Sequence, residues 1–363
     1  MMSTPRILLQ DLVTREILDW SVPLSGADYT DTLSAPRGLS GSLPEGYPLP
    51  VLEWGSALWV ESDGVFHGGG IVTTIEHNER SIRLDCSGPS AYASGMPWLA
   101  PREDLIDVDP LDIVRKIWNH LQGEPGGNLH LSVDPTTSPV RVGEEERDVE
   151  FTTGAGDEVS FETGPFRLNS IDAQDLGKTI DDLASDTPFD YVEETSWSGE
   201  EIVHRLRLGY PSIGVRRADH VYRTSENLSV LPALGLDENT YASEVLLVGA
   251  GEGREAVTGH VPSTPSRLRR VAIVADKSIR SRKAAVNAAR AELARRTTAG
   301  TITDLVVVDS PAARISELGV GDRIYVSGPL ATGAELDHWV RITEIARSLD
   351  DPTTAALTVI PAS

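Results

Sequence analysis

The chain of 363 residues carries 32 Lys and Arg against 55 Asp and Glu, a formal net charge of −23. Such a length implies about two to four domains or lobes, and the charge excludes a protein that holds nucleic acid by bulk attraction. Apolar residues at 40% exclude a disordered chain, and the single cysteine, Cys86, excludes an internal disulfide or a multi-cysteine metal site.

At the N-terminus, Ile7-Leu8-Leu9 stops at Gln10-Asp11, so neither a signal peptide nor a membrane span is expected, and the chain reads as made in a reducing cytoplasm. The first ~95 residues read as β-structure. Arg15–Trp20 alternates roughly, Val51–Val60 and Gly70–Glu76 more clearly. Past the polar turn His77-Asn78-Glu79-Arg80, Ser81–Cys86 alternates again, as in a hairpin with one wet face. Pro36, Pro44, Pro48 and Pro50, then Pro89, Pro97 and Pro101, mark loops.

A helix is predicted from Asp109 as N-cap and Pro110 at the first position, with Leu111, Val114, Ile117, Trp118 and Leu121 on one face and Gly123 as its stop. A second runs through Leu176, Ile180, Leu183 and Ala184 to an end before Pro188. Short strands at Leu129–Val133, Glu158–Thr163, Phe189–Glu193 and Ile202–Leu208 make this middle region α+β. Ser278–Thr297 is the strongest helix, Ala/Arg-rich, with a thin stripe of Ile279, Val286, Ala289 and Leu293 that suits close packing on one neighbour. Strands follow at Ile302–Val308, Arg323–Val326, Trp339–Ile345 and Ala356–Ile360.

Charge is uneven along the chain. Residues 1–100 sum to −7, 101–266 to −19 and 267–363 to +3, and 267–296 alone to +8. A solvated helix face would account for that basic segment. So would a self-complementary oligomer in which Arg280, Arg282, Lys283, Arg290, Arg295 and Arg296 of one copy meet the acidic middle of the next.

The two ends of the chain resemble each other. Gly55–Val60 matches Gly321–Val326, Ile71–Glu76 matches Arg341–Ala346, and Ile82–Cys86 matches Ala355–Val359. The alignment sets Val72 with Ile342, Ile75 with Ile345 and Leu84 with Leu357; the last step is longer in the second copy, by a hairpin tip at Asp350–Thr354. Two similar small β-barrels flanking an α+β body are expected. Three copies of such a chain would set six similar units in a ring.

Three strings suggest chemistry and fail on context. His67-Gly68-Gly69-Gly70 has the form of an oxyanion-hole loop, but no G-x-S-x-G nucleophile elbow accompanies it. Gly251-x-Gly253-x-x-Ala256, with Asp276 downstream, has the form of a dinucleotide fingerprint, but Gly259, Pro262 and Pro265 interrupt the helix it needs. The acidic run Gly143–Glu150 reads as a solvated loop, and the eight histidines show no ligand spacing. No catalytic, cofactor or metal residue is assigned.

Gly95-Met96-Pro97-Trp98-Leu99, Val108–Gln122, Val133–Gly143 and Lys178–Ala184 with Pro188-Phe189-Asp190-Tyr191 resemble minor tail proteins of siphoviruses that infect actinobacteria. So does the Ala/Arg helix followed by Gly319–Ile324 and Trp339–Ile342. That family is similar to baseplate-hub and tail-tip hub proteins of tailed phages. The resemblance implies a non-enzymatic homotrimer at the tail tip, its two barrels per subunit forming a pseudo-sixfold ring between a sixfold tube and a threefold tip. It implies distal tail or tube, tape-measure and tip or fibre proteins as partners, with DNA passing through the lumen unbound. Domains are expected at 1–95 (N-terminal barrel), 96–225 (inserted α+β), 226–300 (connecting, with the basic helix) and 301–363 (C-terminal barrel). A tail-associated cell-wall hydrolase or receptor-binding module is the alternative; a cytoplasmic oxidoreductase is a weaker third.

Overall fold

The computed structural model describes residues 5–48, 50–78, 80–152, 158–171, 174–224, 226–230, 234–235, 241–251, 256–263, 268–276, 279, 282–297, 301–329 and 335–362. Its N-terminal part holds strands β1 (Arg6–Asp11), β2 (Ile17–Asp19), β3 (Ser25–Thr32), β4 (Gly38–Pro44), β5 (Ser56–Ser62), β6 (Val65–His77) and β7 (Ser81–Ser87). They pair in the order β2-β1-β5-β6-β7-β4-β3, every step antiparallel. Leu9, Leu39, Leu58, Val60, Val72 and Leu84 form the core below this sheet. The proline-bounded stretch read as a loop contains β4, whose small residues fit between two strands, with Pro44 at its end.

In the body, β8 (Glu103–Leu105), α1 (Pro110–Gly123), β9 (Leu131–Val133), β10 (Arg147–Thr152), β11 (Glu158–Thr163), β12 (Phe166–Leu168), α2 (Leu176–Asp186), β13 (Asp190–Ser198) and β14 (Glu201–Gly209) follow in order. The α1 boundaries match the sequence signals. The Asp109 carboxylate accepts from Leu111 N at 3.0 Å, and it also accepts from Ser138 N at 2.6 Å, which ties the following loop to the cap. The apolar face of α1, with Trp118 and Ile117 fully buried, packs with α2 against the β13–β14 hairpin. The acidic run is not all loop: Arg147–Glu150 begins β10, and Glu146 pairs with Arg167 at 3.0 Å.

The C-terminal part comprises β15 (Arg216–Arg223), β16 (Leu228–Val230), β17 (Leu234–Gly235), β18 (Glu244–Val248), β19 (Thr258–Pro262), β20 (Val271–Ala275), α3 (Arg282–Thr297), β21 (Thr301–Ile302), β22 (Asp304–Val308), β23 (Arg323–Pro329), β24 (Glu335–Ser348) and β25 (Thr354–Pro361). Residues 252–255 of the dinucleotide-like string lie outside the described residues. The chain beyond them returns as β19, antiparallel to β18, where a nucleotide-binding helix would have to begin.

The sequence repeat is present in the strand pairing. β5-β6-β7 and β23-β24-β25 are antiparallel meanders in the same register. Leu58 pairs with Gly70 as Ile324 pairs with Val340; Ile75 pairs with Leu84 as Ile345 pairs with Leu357. Both meanders slip register at the same place, between Val72 and Thr74 and between Ile342 and Glu344. In both, the threonine at the slip donates its hydroxyl to the facing strand: Thr73 to Asp85 O and Thr343 to Thr358 O, each at 3.1 Å. The pairing is in one respect unlike the expectation. Among the described residues it closes no barrel; thirteen strands from both ends run into one continuous sheet.

The His67-Gly68-Gly69-Gly70 string lies where β6 leaves β5 for β7. Gly69 takes φ +121°, and a Cβ on Gly70 would overlap the Ser87 carbonyl of the neighbouring strand. Close backbone approach explains these glycines without any oxyanion. Gly70→Ala is therefore expected to destabilise the fold by about 1–3 kcal/mol, measured by urea unfolding, whereas Val340→Ala at the equivalent position loses only side-chain packing.

Candidate assembly interface

The two meanders meet through β3 and β24. Glu344 pairs with Thr32, Ile345 with Asp31, Ala346 with Thr30, Arg347 with Tyr29 and Ser348 with Asp28, all antiparallel. Backbone bonds from Leu33 N to Thr343 O (2.8 Å) and from Leu349 N to Ala27 O (2.9 Å) extend the join at both ends. Asp31 stands at its centre, with Arg37 Nε at 2.8 Å and Arg347 Nη1 at 3.0 Å. All three side chains are less than one-fifth exposed, so the two cations are held by partly desolvated attraction.

β13 brackets this join from the body. Glu193 is buried and accepts from Arg37 N at 2.9 Å and Ser90 N at 2.5 Å, so one carboxylate holds both the β3–β4 loop and the segment after β7. Burial pushes its pKa up, and the two backbone donors oppose that shift. Three positions earlier, Asp190 accepts from Ile213 N at 2.6 Å and from Arg341 Nη2 of β24. Ser34 N donates to Tyr191 O at 2.8 Å between these two clamps. One strand thus touches both repeat units.

On the far face of the N-terminal sheet, Trp59 packs against His204 of β14 with ring centroids 4.9 Å apart. Its Nε1 donates to Gln10 Oε1 at 2.9 Å, and Phe66 meets Trp197 at 5.1 Å. Burial, with Arg15, Arg37 and His130 nearby, pushes His204 down to about 3.

The cations proposed from the sequence as an interface are distributed unevenly. α3 buries Ala285, Ala289 and Leu293 against Val245, Leu247 and Val257. The stripe is thus led by Ala285, with Val286 half-buried beside it. A Cβ on Gly259 would overlap the Ala285 backbone, which shows how closely helix and sheet approach. Arg282, Lys283 and Arg290 are exposed. Arg296 reaches back to Glu292 at 2.6 Å within its own helix. Arg280 and the side chain of Arg295 lie outside the described residues.

Asp31, Asp190, Glu193, Arg341 and Arg347 were missed by sequence reasoning, because nothing local distinguishes them among 55 acidic and 32 basic residues. No group of three or more metal-ligating side chains forms among the described residues. A cavity of about 120 Å³ lies between Trp118, Tyr191, Asp181 and Gly177, and an open one of about 360 Å³ between Arg167, Gln174, Thr179 and Asp182.

No protein-family model matches the sequence, and no curated relative matches it. Solved structures do. The 43 kDa tail protein of prophage MuSo2 from Shewanella oneidensis superposes with a TM-score of 0.59 at 12% identity, over 98% of each chain. The tail protein from Neisseria meningitidis MC58 gives 0.57 at 13% identity over 99% of this chain and 97% of that one. Prophage tail protein gp18 from Listeria monocytogenes EGD-e gives 0.54 at 12% identity over 98% and 94%. The fold is that of phage tail proteins. At these identities the likeness is one of architecture, and it spans both meanders and the body.

Two predictions test these contacts. Asp31→Ala leaves Arg37 and Arg347 unpaired at a partly buried seam, and a loss of about 2 kcal/mol is expected, between values for surface and buried pairs; Arg347→Ala in the same background should add little further. His204 is neutral when folded, and its folded pKa lies below the unfolded value near 6.5. The unfolded chain then binds the extra proton first, so stability falls as pH drops below about 6.5, approaching about 1.4 kcal/mol per pH unit. His204→Gln should flatten that slope in melting curves between pH 6.5 and 5.

Proposed function

We propose that this chain is a structural component of a phage tail, the tail-tip or baseplate hub of a siphovirus that infects actinobacteria, assembled as a homotrimer. The observation that carries the reading is the in-register repeat of two β-meanders within one chain of tail-protein fold. Three copies would present six equivalent units to a sixfold tube and three bodies to the tip. Distal tail or tube, tape-measure and tip or fibre proteins are the partners of such a ring, and its place is the virion tail tip. The exposed cations of α3 would meet acidic surface on a neighbouring protein.

The charge supports this reading. The segment 101–266, at −19, is suited to facing either solvent or a channel through which DNA passes without adhering. As a hub the protein does no chemistry. Cell-wall zymography with the purified chain is expected to show no clearing; lysis would move it to the tail-associated hydrolases.

The decisive experiment is imaging of intact tail tips with this chain labelled. Three copies around the axis next to the tube end are expected, and one or six copies would overturn the ring.

A further inference from the structure

The two repeats present the same sheet face with different chemistry. The pairs Ala57–Ile71 and Trp59–Gly69 of β5–β6 correspond to Arg323–Arg341 and Tyr325–Trp339 of β23–β24. In the N-terminal unit Ala57, Trp59 and Ile71 are all buried. The β13–β14 hairpin of the body lies over Ala57 and Trp59, bringing Trp197, Ile202 and His204 against that side of the sheet. An acid fastens its turn: Glu201 pairs with Arg15 Nη1 at 3.0 Å.

In the C-terminal unit no hairpin covers the equivalent face among the described residues. Arg341 is turned to Asp190 and belongs to the clamp already described. Arg323, Tyr325 and Trp339 are half-buried, and Arg216 is exposed. The Arg216 guanidinium lies 3.9 Å from the Trp339 ring centroid, and Tyr325 meets the same indole at 5.5 Å. Arg323 Nη2 is 3.5 Å from Ser212 Oγ. Ile360, exposed, pairs with Arg341 and so borders the patch.

Hydrogen-bonding capacity decides what can cover this patch. Two guanidinium forks and an indole N–H can only donate. Among the described residues neither Arg216 nor Arg323 has a carboxylate at ion-pair distance, and that includes Asp337, which stands opposite Ser327 on the same face. Neither Trp339 Nε1 nor Tyr325 Oη bonds a protein group among the described residues. Such a surface calls for an acceptor-rich, anionic partner. Arginine, tyrosine and tryptophan are also the side chains that dominate binding energy where an interface excludes water. A nucleic acid is the less suitable anion. Arg216 occupies a face of the indole on which a base would stack, and a net charge of −23 opposes phosphates. A protein segment suits better, since that is what the same face of the other repeat receives.

We infer that the face formed by Arg216, Arg323, Tyr325 and Trp339 docks a carboxylate-bearing β-hairpin of a different tail protein, in the place where β13–β14 lies on the N-terminal unit. Its acids meet the two guanidinium groups as Glu201 meets Arg15, and an apolar side chain of the hairpin covers Tyr325 and Ile360. The inference rests on the tail reading above and is tested separately from it.

Hydroxyl-radical footprinting reads the exposure of Trp339 and Tyr325. The purified chain is compared with intact virions and with particles that have released their DNA. Oxidation of both rings is expected to fall at least about tenfold in both kinds of particle, as at the water-free centre of an interface. In particles built with Arg323→Lys, a zero-length carbodiimide should join the substituted position to an Asp or Glu of a different tail protein, a link absent from the purified chain.

Trp339 oxidised in the particles as fast as in the purified chain would overturn the inference and leave the tail reading standing. Protection that is lost when the DNA leaves would assign the face to nucleic acid, and a link to a second copy of this chain would assign it to self-assembly; either overturns the docked hairpin. Absence of the chain from the particles overturns the tail reading and this inference together. Where the Arg323→Lys chain fails to assemble, protection of the unmodified chain in both kinds of particle decides alone.

Discussion

The antiparallel ladder between Asp28–Thr32 and Glu344–Ser348 is the constraint on which the rest of the architecture depends. Without it each terminal unit would be a separate small sheet with an open edge. With it, thirteen strands form one sheet, and β1 and β25, far apart in sequence, belong to the same layer. Its backbone bonds are worth about 1 kcal/mol each, too little to hold two units in one orientation by themselves. The Asp31 pair of cations and the packing of Leu349 against the N-terminal core add what fixes the angle.

The body contributes to the same constraint. Asp190 and Glu193 lie on one strand and reach opposite units, so a shift of β13 would disturb both at once. Glu193 is costly to bury, and it is tolerated because two backbone donors that would otherwise be orphaned point at it. The Trp59–His204 contact does the equivalent with apolar surface on the opposite face. The α+β region between the repeats is therefore a brace across both of them.

Much of this was legible in the sequence. Helix α1 followed from period and capping residues and α2 from its apolar positions and Pro188, and the meander repeat followed from matched apolar positions, to the residue. What hid was the junction. β3, Ser-Gly-Ala-Asp-Tyr-Thr-Asp-Thr, has no apolar alternation, because both its neighbours are strands and its faces are only partly covered. β15 is similarly charged and was not among the expected strands, although it pairs with β23 in parallel. The clamp residues hid for another reason: an isolated Asp or Glu acquires its role from partners as far as 316 residues away, and no local pattern encodes that.

Charge acts in this fold through local pairs more than through its total. The sum is −23, yet the residues that hold the fold together are paired opposites at the seams: Asp31 with Arg37 and Arg347, Asp190 with Arg341, Glu244 with Arg269. Part of the +8 segment is used inside the chain in the same way, at Arg269 and Arg296. Arg282, Lys283 and Arg290 remain on the outer face of α3, a helix whose inner face is already closely seated on its own small sheet. Surface cations of this kind contribute little to folding. Their value lies in steering and orienting an acidic neighbour, and every copy of this chain is itself strongly acidic.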